Sequence, residues 1–454
     1  MKKQQHIHFI GICGVAMSAL ALTFKERGWK VTGSDVGFYP PVSTNLKEHQ
    51  IDFYAGWHPE KIGKPDLVVI SNVASSNNPE WLYVQKEKLN YKSYPEVIAE
   101  FFVKPESIVC AGTFGKTTST ALLTWIFLNE GLNPCYMFGG LSRNKLPPAH
   151  LTDGKYSILE GDEYKSARWD PKPKFSHYHP KHLLLTAVQW DHADIYKTEK
   201  DYFKVFQKLV KQPKGTLVVS ERVQNISLPK KKITYGISEN VTYRYDNIIE
   251  SATGINFDIK HGDNVYSVGS PCLGEYMADN ITGCFAMANE LGIKPEKILE
   301  HIRSFIGMKR RLEKRHAGKV VVIDDIAHSP AKAATILKTI RKIYSGKIFA
   351  VFEPNIGNRR RESAPGYEGA FKDADEVIVP HLTKLKLDDA DGRPLEGDEL
   401  AAIIKKSQSN TIHLGDDAEL IEYLIKKTEP GSVIVFLGSH GFRGMIEEVV
   451  KNVN

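Results

Sequence analysis

The residues best suited to chemistry lie between Val109 and Thr120, V-C-A-G-T-F-G-K-T-T-S-T. An apolar run, Ser107 to Cys110, leads into Gly112 and Gly115, which bracket Thr113 and Phe114. Lys116, Thr117 and Thr118 then open a segment with helical apolar spacing at Ala121, Leu122, Trp125 and Ile126. Strand, glycine turn and helix in that order aim backbone N–H groups and the positive end of a helix at one spot, which suits a phosphate. Lys116 adds a point charge for the outer phosphates, and the Thr117 hydroxyl is placed to ligate an accompanying Mg²⁺. The strict pattern G-x-x-x-x-G-K-[ST] requires glycine at position 110, where this chain has Cys110. A plain helix-capping turn therefore stands as the alternative to phosphate binding.

Further clusters lie downstream. Tyr156 to Leu159 form an apolar strand that delivers Glu160 in E-G-D-E-Y, and His182 to Val188 form another that delivers His192 in Q-W-D-H-A-D. Both clusters fall just past a strand's C-terminal end, the edge that holds the phosphate loop, so Glu160 and His192 could meet the nucleotide and its metal ions. The alternatives are that Glu160 is a helix-start carboxylate and His192 a packed histidine or surface cap. Asn280, in G-E-Y-M-A-D-N, either lines its helix or bonds adenine or phosphate. Gly307 to Glu313, G-M-K-R-R-L-E, puts Arg310 and Arg311 in a turn, either a mobile clamp on a transferring phosphoryl group or a solvated basic turn. Asp324 and Asp325 close the strand that precedes Ser329 and Pro330, an N-cap and first-turn proline.

The N-terminus reads as a nucleotide-binding βαβ unit. A strand from His6 to Ile10 meets Gly11-Ile12-Cys13-Gly14, a helix runs from Val15 to Glu26, and a second strand reaches Gly33-Ser34-Asp35. The dinucleotide fingerprint G-x-G-x-x-G fails at Cys13 and Ala16, which disfavours a nicotinamide oxidoreductase. A strand from Asp66 to Ile70 ends at Ser71-Asn72, another ligand-facing edge. Lys104-Pro105 marks a boundary before the phosphate loop, and Gly215 to Ser270 alternates like an antiparallel excursion. Strands alternate with helices again after Gly318. The expected fold is α/β with three domains, residues 1–103, 104–314 and 315–454, the first and last Rossmann-like and the middle one a phosphate-loop ATPase domain.

Composition narrows the function. The chain has 454 residues, 42% hydrophobic and 25% charged, with a net charge of +6. That is ordinary for a globular protein handling small anions, and no Lys/Arg stripe interleaved with aromatics points to nucleic acid. Five scattered cysteines without a C-x-x-C pair, no 18-residue apolar run and no leader-like N-terminus lead to the expectation of a cytoplasmic protein without a membrane span.

These motifs together resemble the ATP-dependent muramyl ligases over essentially the full length. G-T-F-G-K-T-T, E-G-D-E-Y, W-D-H-A-D, G-M-K-R-R-L-E and D-D-I-A-H-S-P carry the resemblance, in that order. H-F-I-G-I-C-G from His8, Tyr39-Pro40-Pro41-Val42-Ser43-Thr44 and Lys174-Phe175-Ser176-His177-Tyr178 resemble the branch that recycles peptidoglycan peptides. The resemblance implies ATP and Mg²⁺ as cofactors and a UDP-muramoyl carboxylic acid, a short peptide or amino acid and ATP as partners. It implies an amide bond made through an acyl phosphate. For the ATP site it implies Gly112, Thr113, Gly115, Lys116, Thr117, Thr118, Asn280, Arg311 and Asp325. Thr117, Glu160 and His192 would serve the metal, and Lys116, His192, Arg311 and Asp325 the catalysis. Gly11, Gly14, Ser34, Asp35 and Ser71 would hold the UDP-sugar. The chain departs from the family pattern at Phe114, where histidine is usual, at Ala187-Val188-Gln189 in place of N-x-E, at Met277, and at Asn355 to Arg359. The acceptor implied is the alanine of a tripeptide ending in diaminopimelate, with free L-alanine the rival acceptor. A UDP-sugar-binding relative with impaired catalysis is the non-enzymatic alternative.

Overall fold

The computed structural model describes residues 4–38, 42–72, 74–190, 195–383 and 393–453. The chain forms two compact units, one made of residues 1–248, 257–270 and 278–306, the other of residues 249–256, 271–277 and 307–454.

In the first unit, apolar runs make an all-parallel five-stranded sheet in the order Asp52–Ala55, Lys30–Asp35, His6–Ile10, Leu67–Ile70, Tyr91–Ser93. The helix Val15–Glu26 matches the expected span and buries Leu20 and Phe24 against this sheet. Phe24 meets Trp29 and Phe101 edge-on at 5.1 Å each, so an aromatic cluster closes the helix-covered face. A ten-stranded sheet carries the phosphate loop. The strand before the loop, Glu106–Ala111, is flanked in parallel by Tyr156–Gly161 and His182–Leu185. All three are almost wholly apolar, as strands buried on both faces must be.

Two expectations are corrected here. Within Gly215 to Ser270, the strands Leu217–Ser220 and Ile233–Gly236 extend the sheet in parallel, and only Tyr243–Ser251, Gly254–His261 and Asn264–Ser270 form hairpins, joined by two-residue connections that antiparallel strands alone allow. The second correction lies in the second unit, whose six-stranded sheet runs Glu313–Ala317, Val321–Asp325, Val433–Gly438, Ile348–Glu353, Glu376–Val379, Thr411–His413. Its first strand pairs antiparallel with the second and was not expected, because E-K-R-H-A is polar, as exposed edges are. The helix Pro330–Ile343 begins as expected, with the Ser329 side chain accepting the Lys332 N–H.

One buried group gives the N-terminal sheet a pH dependence. His8 is fully buried, and its Nδ1 shares the Thr32 hydroxyl with His6 Nε2, at 2.8 and 2.9 Å. His8 Nε2 has no hydrogen-bond partner among the described residues. Burial, then the nearby His6, lower its pKa to about 3. The folded protein thus keeps His8 neutral, whereas the unfolded chain takes up a proton below about pH 6.5. Stability must fall as pH drops from 6.5 towards 3. At pH 5 the cost is about 2 kcal/mol, from 1.5 pH units of linkage. Urea titrations at pH 7 and pH 5 should show this loss in the wild type and a smaller one in His8→Gln. Equal pH dependence in the two proteins would refute the assignment.

Candidate functional site

The parallel register fixes the phosphate loop's neighbours. Cys110 and Ala111 sit opposite Glu160 and Gly161 on one side and Leu184 and Leu185 on the other. Cys110, the departure from the strict pattern, is fully buried in the strand, and burial pushes its thiol up to about 12, so it packs as a small apolar residue. Gly112, at φ +137°, lies where a Cβ would come 2.1 Å from Thr186 Oγ1, and no other residue fits. Gly115, at φ +82°, is the N-cap of the helix Lys116–Asn129, and a Cβ there would come 2.2 Å from Asn280 Oδ1. Asn280 is thereby seated directly against the loop.

Lys116 donates to Gly112 O at 2.7 Å and Thr113 O at 3.2 Å and pairs with Glu163 at 2.9 Å. Glu163 is completely buried, receives the Tyr202 hydroxyl at 3.3 Å, and was not singled out from sequence. The Thr113 hydroxyl is taken up by backbone: it donates to Gln189 O at 2.8 Å and accepts the Gln189 N–H at 2.9 Å, with the Tyr202 hydroxyl also 2.8 Å away. Thr118 is buried within the first turn. The Phe114 ring is 45% exposed, while its carbonyl accepts the Thr186 hydroxyl at 2.6 Å.

Thr117 donates to Glu160 Oε1 at 2.7 Å, and Glu160 Oε2 accepts the Gly139 N–H at 2.6 Å. A hydroxyl and a carboxylate in contact, both hard oxygen donors beside a phosphate loop, fit a Mg²⁺ ion that takes the rest of its shell from water and phosphate. No group of three or more His, Cys, Asp or Glu placed to hold a metal ion occurs among the described residues. His192, with Asp191 and Asp194, lies outside the described residues, as do Tyr39, Pro40 and Pro41.

At the N-terminal sheet, Gly11 at φ +83° turns the chain so that its N–H and that of Ile12 both reach Ser34 O. Gly14 is the N-cap of the following helix without a side-chain cap, a helix start suited to an anion. The Asp35 carboxylate accepts N–H groups from Cys13 at 2.8 Å, Val36 at 2.7 Å and Gly37 at 3.2 Å. It therefore shapes the glycine turn. The Ser34 hydroxyl donates to Glu80, which is fully buried and also receives the Tyr54 hydroxyl and the His58 N–H. Burial and Asp35 push the Cys13 thiol up to about 11, which makes it a poor nucleophile. Ser71 lines a cavity together with Glu160.

Arg311 and Asp325 belong to the second unit. Asp325 is buried and accepts Leu312 N–H and Ala327 N–H, each at 2.8 Å. Burial raises its carboxyl above the usual range, against these N–H groups and Arg311. The turn it pins is strained, with Arg310 at φ +57° and Leu312 at φ +44°. The expected arginine pair divides: Arg311 is exposed, whereas Arg310 is committed to Asp324 and to the carbonyls of Gly438, Ser439 and His440.

Comparison with known proteins places the chain in a family. Residues 6–104 match the model described as Mur ligase family, catalytic domain; residues 110–288 match the Mur ligase middle domain; and residues 310–440 match the Mur ligase, glutamate ligase domain. The chain is 30% identical to the UDP-N-acetylmuramate–L-alanyl-γ-D-glutamyl-meso-2,6-diaminoheptandioate ligase of Escherichia coli, covering 98% of each. It is 29% identical to the UDP-N-acetylmuramate–L-alanine ligase of Lactobacillus acidophilus, covering 97% of each. Its fold is similar to that of the UDP-N-acetylmuramate-alanine ligase of Thermotoga maritima, with a TM-score of 0.82 at 23% identity over 99% of both chains.

Proposed function

The chain belongs to the Mur ligase family, ATP-dependent enzymes that form carbon–nitrogen bonds, and from that premise we propose that it joins UDP-N-acetylmuramate to L-alanyl-γ-D-glutamyl-meso-diaminopimelate. The observation that carries this reading is Thr117, next to Lys116, bonded to Glu160, which lines a cavity together with Ser71 at the edge of the N-terminal sheet. Nucleotide triphosphate and sugar acid would then meet at Glu160.

In the proposed reaction a carboxylate oxygen takes the γ-phosphoryl group, ADP leaves, and the acceptor amine attacks the acyl phosphate to give an amide and inorganic phosphate. Activation is needed because a carboxylate oxygen is a poor leaving group, and cations must offset the meeting of two anions. Lys116 would hold the outer phosphates, with Gly112, Gly115 and the first turn of the helix supplying N–H groups. Thr117 and Glu160, with His192, would hold the Mg²⁺ that neutralises phosphate charge. Asn280 would line the nucleotide, and Arg311 and Asp325 would serve from the second unit. The Gly11–Gly14 turn, shaped by Asp35, would take the diphosphate. We assign residues 1–103 to the UDP-sugar, 104–314 to ATP and 315–454 to the acceptor, a division supported by the three family matches.

A second reading, free L-alanine as acceptor, is favoured by the near-equal identity to the Lactobacillus acidophilus ligase. Phosphate release with UDP-N-acetylmuramate, ATP and Mg²⁺ should give kcat/KM about a hundredfold higher with the tripeptide than with L-alanine. The reverse order would establish the second reading. ATP binding without acceptor-dependent release from either would overturn both.

A further inference from the structure

A cavity of about 260 Å³ lies between the N-terminal and phosphate-loop sheets of the first unit, bounded by Met17, Ser71, Tyr94, Glu160, Lys174 and Tyr178 among others. Its charged lining is unusual for a site meant to receive an acid, since both Glu160 and Asp162 face it and Lys174 is the single cation among its lining residues. Lys174 Nζ bonds Asp162 Oδ2 at 2.5 Å and lies 5.9 Å from the ring centres of Tyr94 and Tyr164. Asp162 is itself fixed by the Tyr164 N–H at 3.0 Å. The ammonium is therefore aimed by one carboxylate and two aromatic rings. It has three donors, of which Asp162 takes one, and the side chain is 20% exposed. Glu160, on the same cavity wall, touches Thr117 at the start of the phosphate-loop helix.

We propose that Lys174 binds the carboxylate of the acid substrate in this cavity, with Asp162 as its positioning residue. The cation offsets the repulsion that the two lining carboxylates, Glu160 and Asp162, would exert on an acid held in this cavity. Selectivity for a sugar acid over the corresponding neutral sugar resides in this lysine. The inference rests on the substrate reading above.

Two ligands separate the possibilities: UDP-N-acetylmuramate, and UDP-N-acetylglucosamine, which lacks the lactyl carboxylate. Calorimetric titration of the full chain should show that the wild type prefers the acid. Lys174→Met should lose about tenfold to a hundredfold in affinity for the acid, the worth of a charge-assisted hydrogen bond, while binding the neutral sugar unchanged. Lys174→Arg should recover most of the preference. Unchanged neutral-sugar binding also reports that the variant is folded, and Lys174→Gln serves if methionine compromises folding. Equal losses for both ligands, or a preference retained without the cation, would overturn the role of Lys174 and leave the substrate reading standing. No preference for the acid in the wild type would overturn both.

Discussion

Lys116→Met is expected to lower ATP-dependent turnover by about a thousandfold and, separately, to destabilise the protein. The first effect is the loss of the charge that stabilises a transferring phosphoryl group. The second comes from Glu163, which is completely buried and has Lys116 as its ion-pair partner at 2.9 Å. Removing the cation from a buried carboxylate costs about 3 kcal/mol, enough to lower the melting temperature by roughly 10 °C in a unit of this size. The double variant Lys116→Met with Glu163→Gln should regain most of that stability, because a neutral amide beside the Tyr202 hydroxyl needs no counter-ion, yet it should remain inactive. Thermal melts and phosphate release on the four proteins of this cycle measure the two effects independently. Undiminished turnover in Lys116→Met would refute the loop assignment, and an unshifted melting temperature would refute the pairing.

That pair also marks what a sequence can and cannot disclose. The phosphate loop was legible because buried parallel strands read as apolar runs, and a glycine turn before Lys-Thr-Thr has few purely structural uses. Glu160 was legible for the same reason, as the first polar residue past such a run. Glu163 was not, since its partner is 47 residues away and only the parallel register brings the two strand ends together. Asp35 shows a different limit. Its place at a strand end could be read from pattern, but the targets of its carboxylate are backbone N–H groups of Cys13, Val36 and Gly37, set by turn geometry that side-chain identity does not encode. Strand direction between Gly215 and Ser270 failed for a simpler reason: alternation reports a pleat and carries no information on which way a neighbour runs. The polar edge strand Glu313–Ala317 lacked the apolar signal altogether.

Arg310 and Arg311 should give opposite phenotypes although they are adjacent. The Arg310 guanidinium bonds Ser439 O at 3.1 Å, His440 O at 2.8 Å and Gly438 O, and it pairs with Asp324 at 3.2 Å, whose side chain is 2% exposed. Arg310→Ala takes the guanidinium away from three carbonyls and leaves Asp324 with Arg315, also at 3.2 Å. A loss of about 3–5 kcal/mol is expected, read as a lower denaturation midpoint. Arg311 is exposed, so Arg311→Ala should leave stability within about 0.5 kcal/mol. Its turnover should fall by about a hundredfold to a thousandfold, the scale of removing one group that stabilises developing charge. Asp325 couples the two residues, because it holds the turn through Leu312 N–H and thereby sets where Arg311 is presented. Asp325→Asn offers one acceptor oxygen where Leu312 N–H and Ala327 N–H use two, so it should loosen the turn and lose activity. A variant of Arg311 with full turnover would mean that the turn is a structural buttress built around Arg310, with no part in stabilising the transferring phosphoryl group.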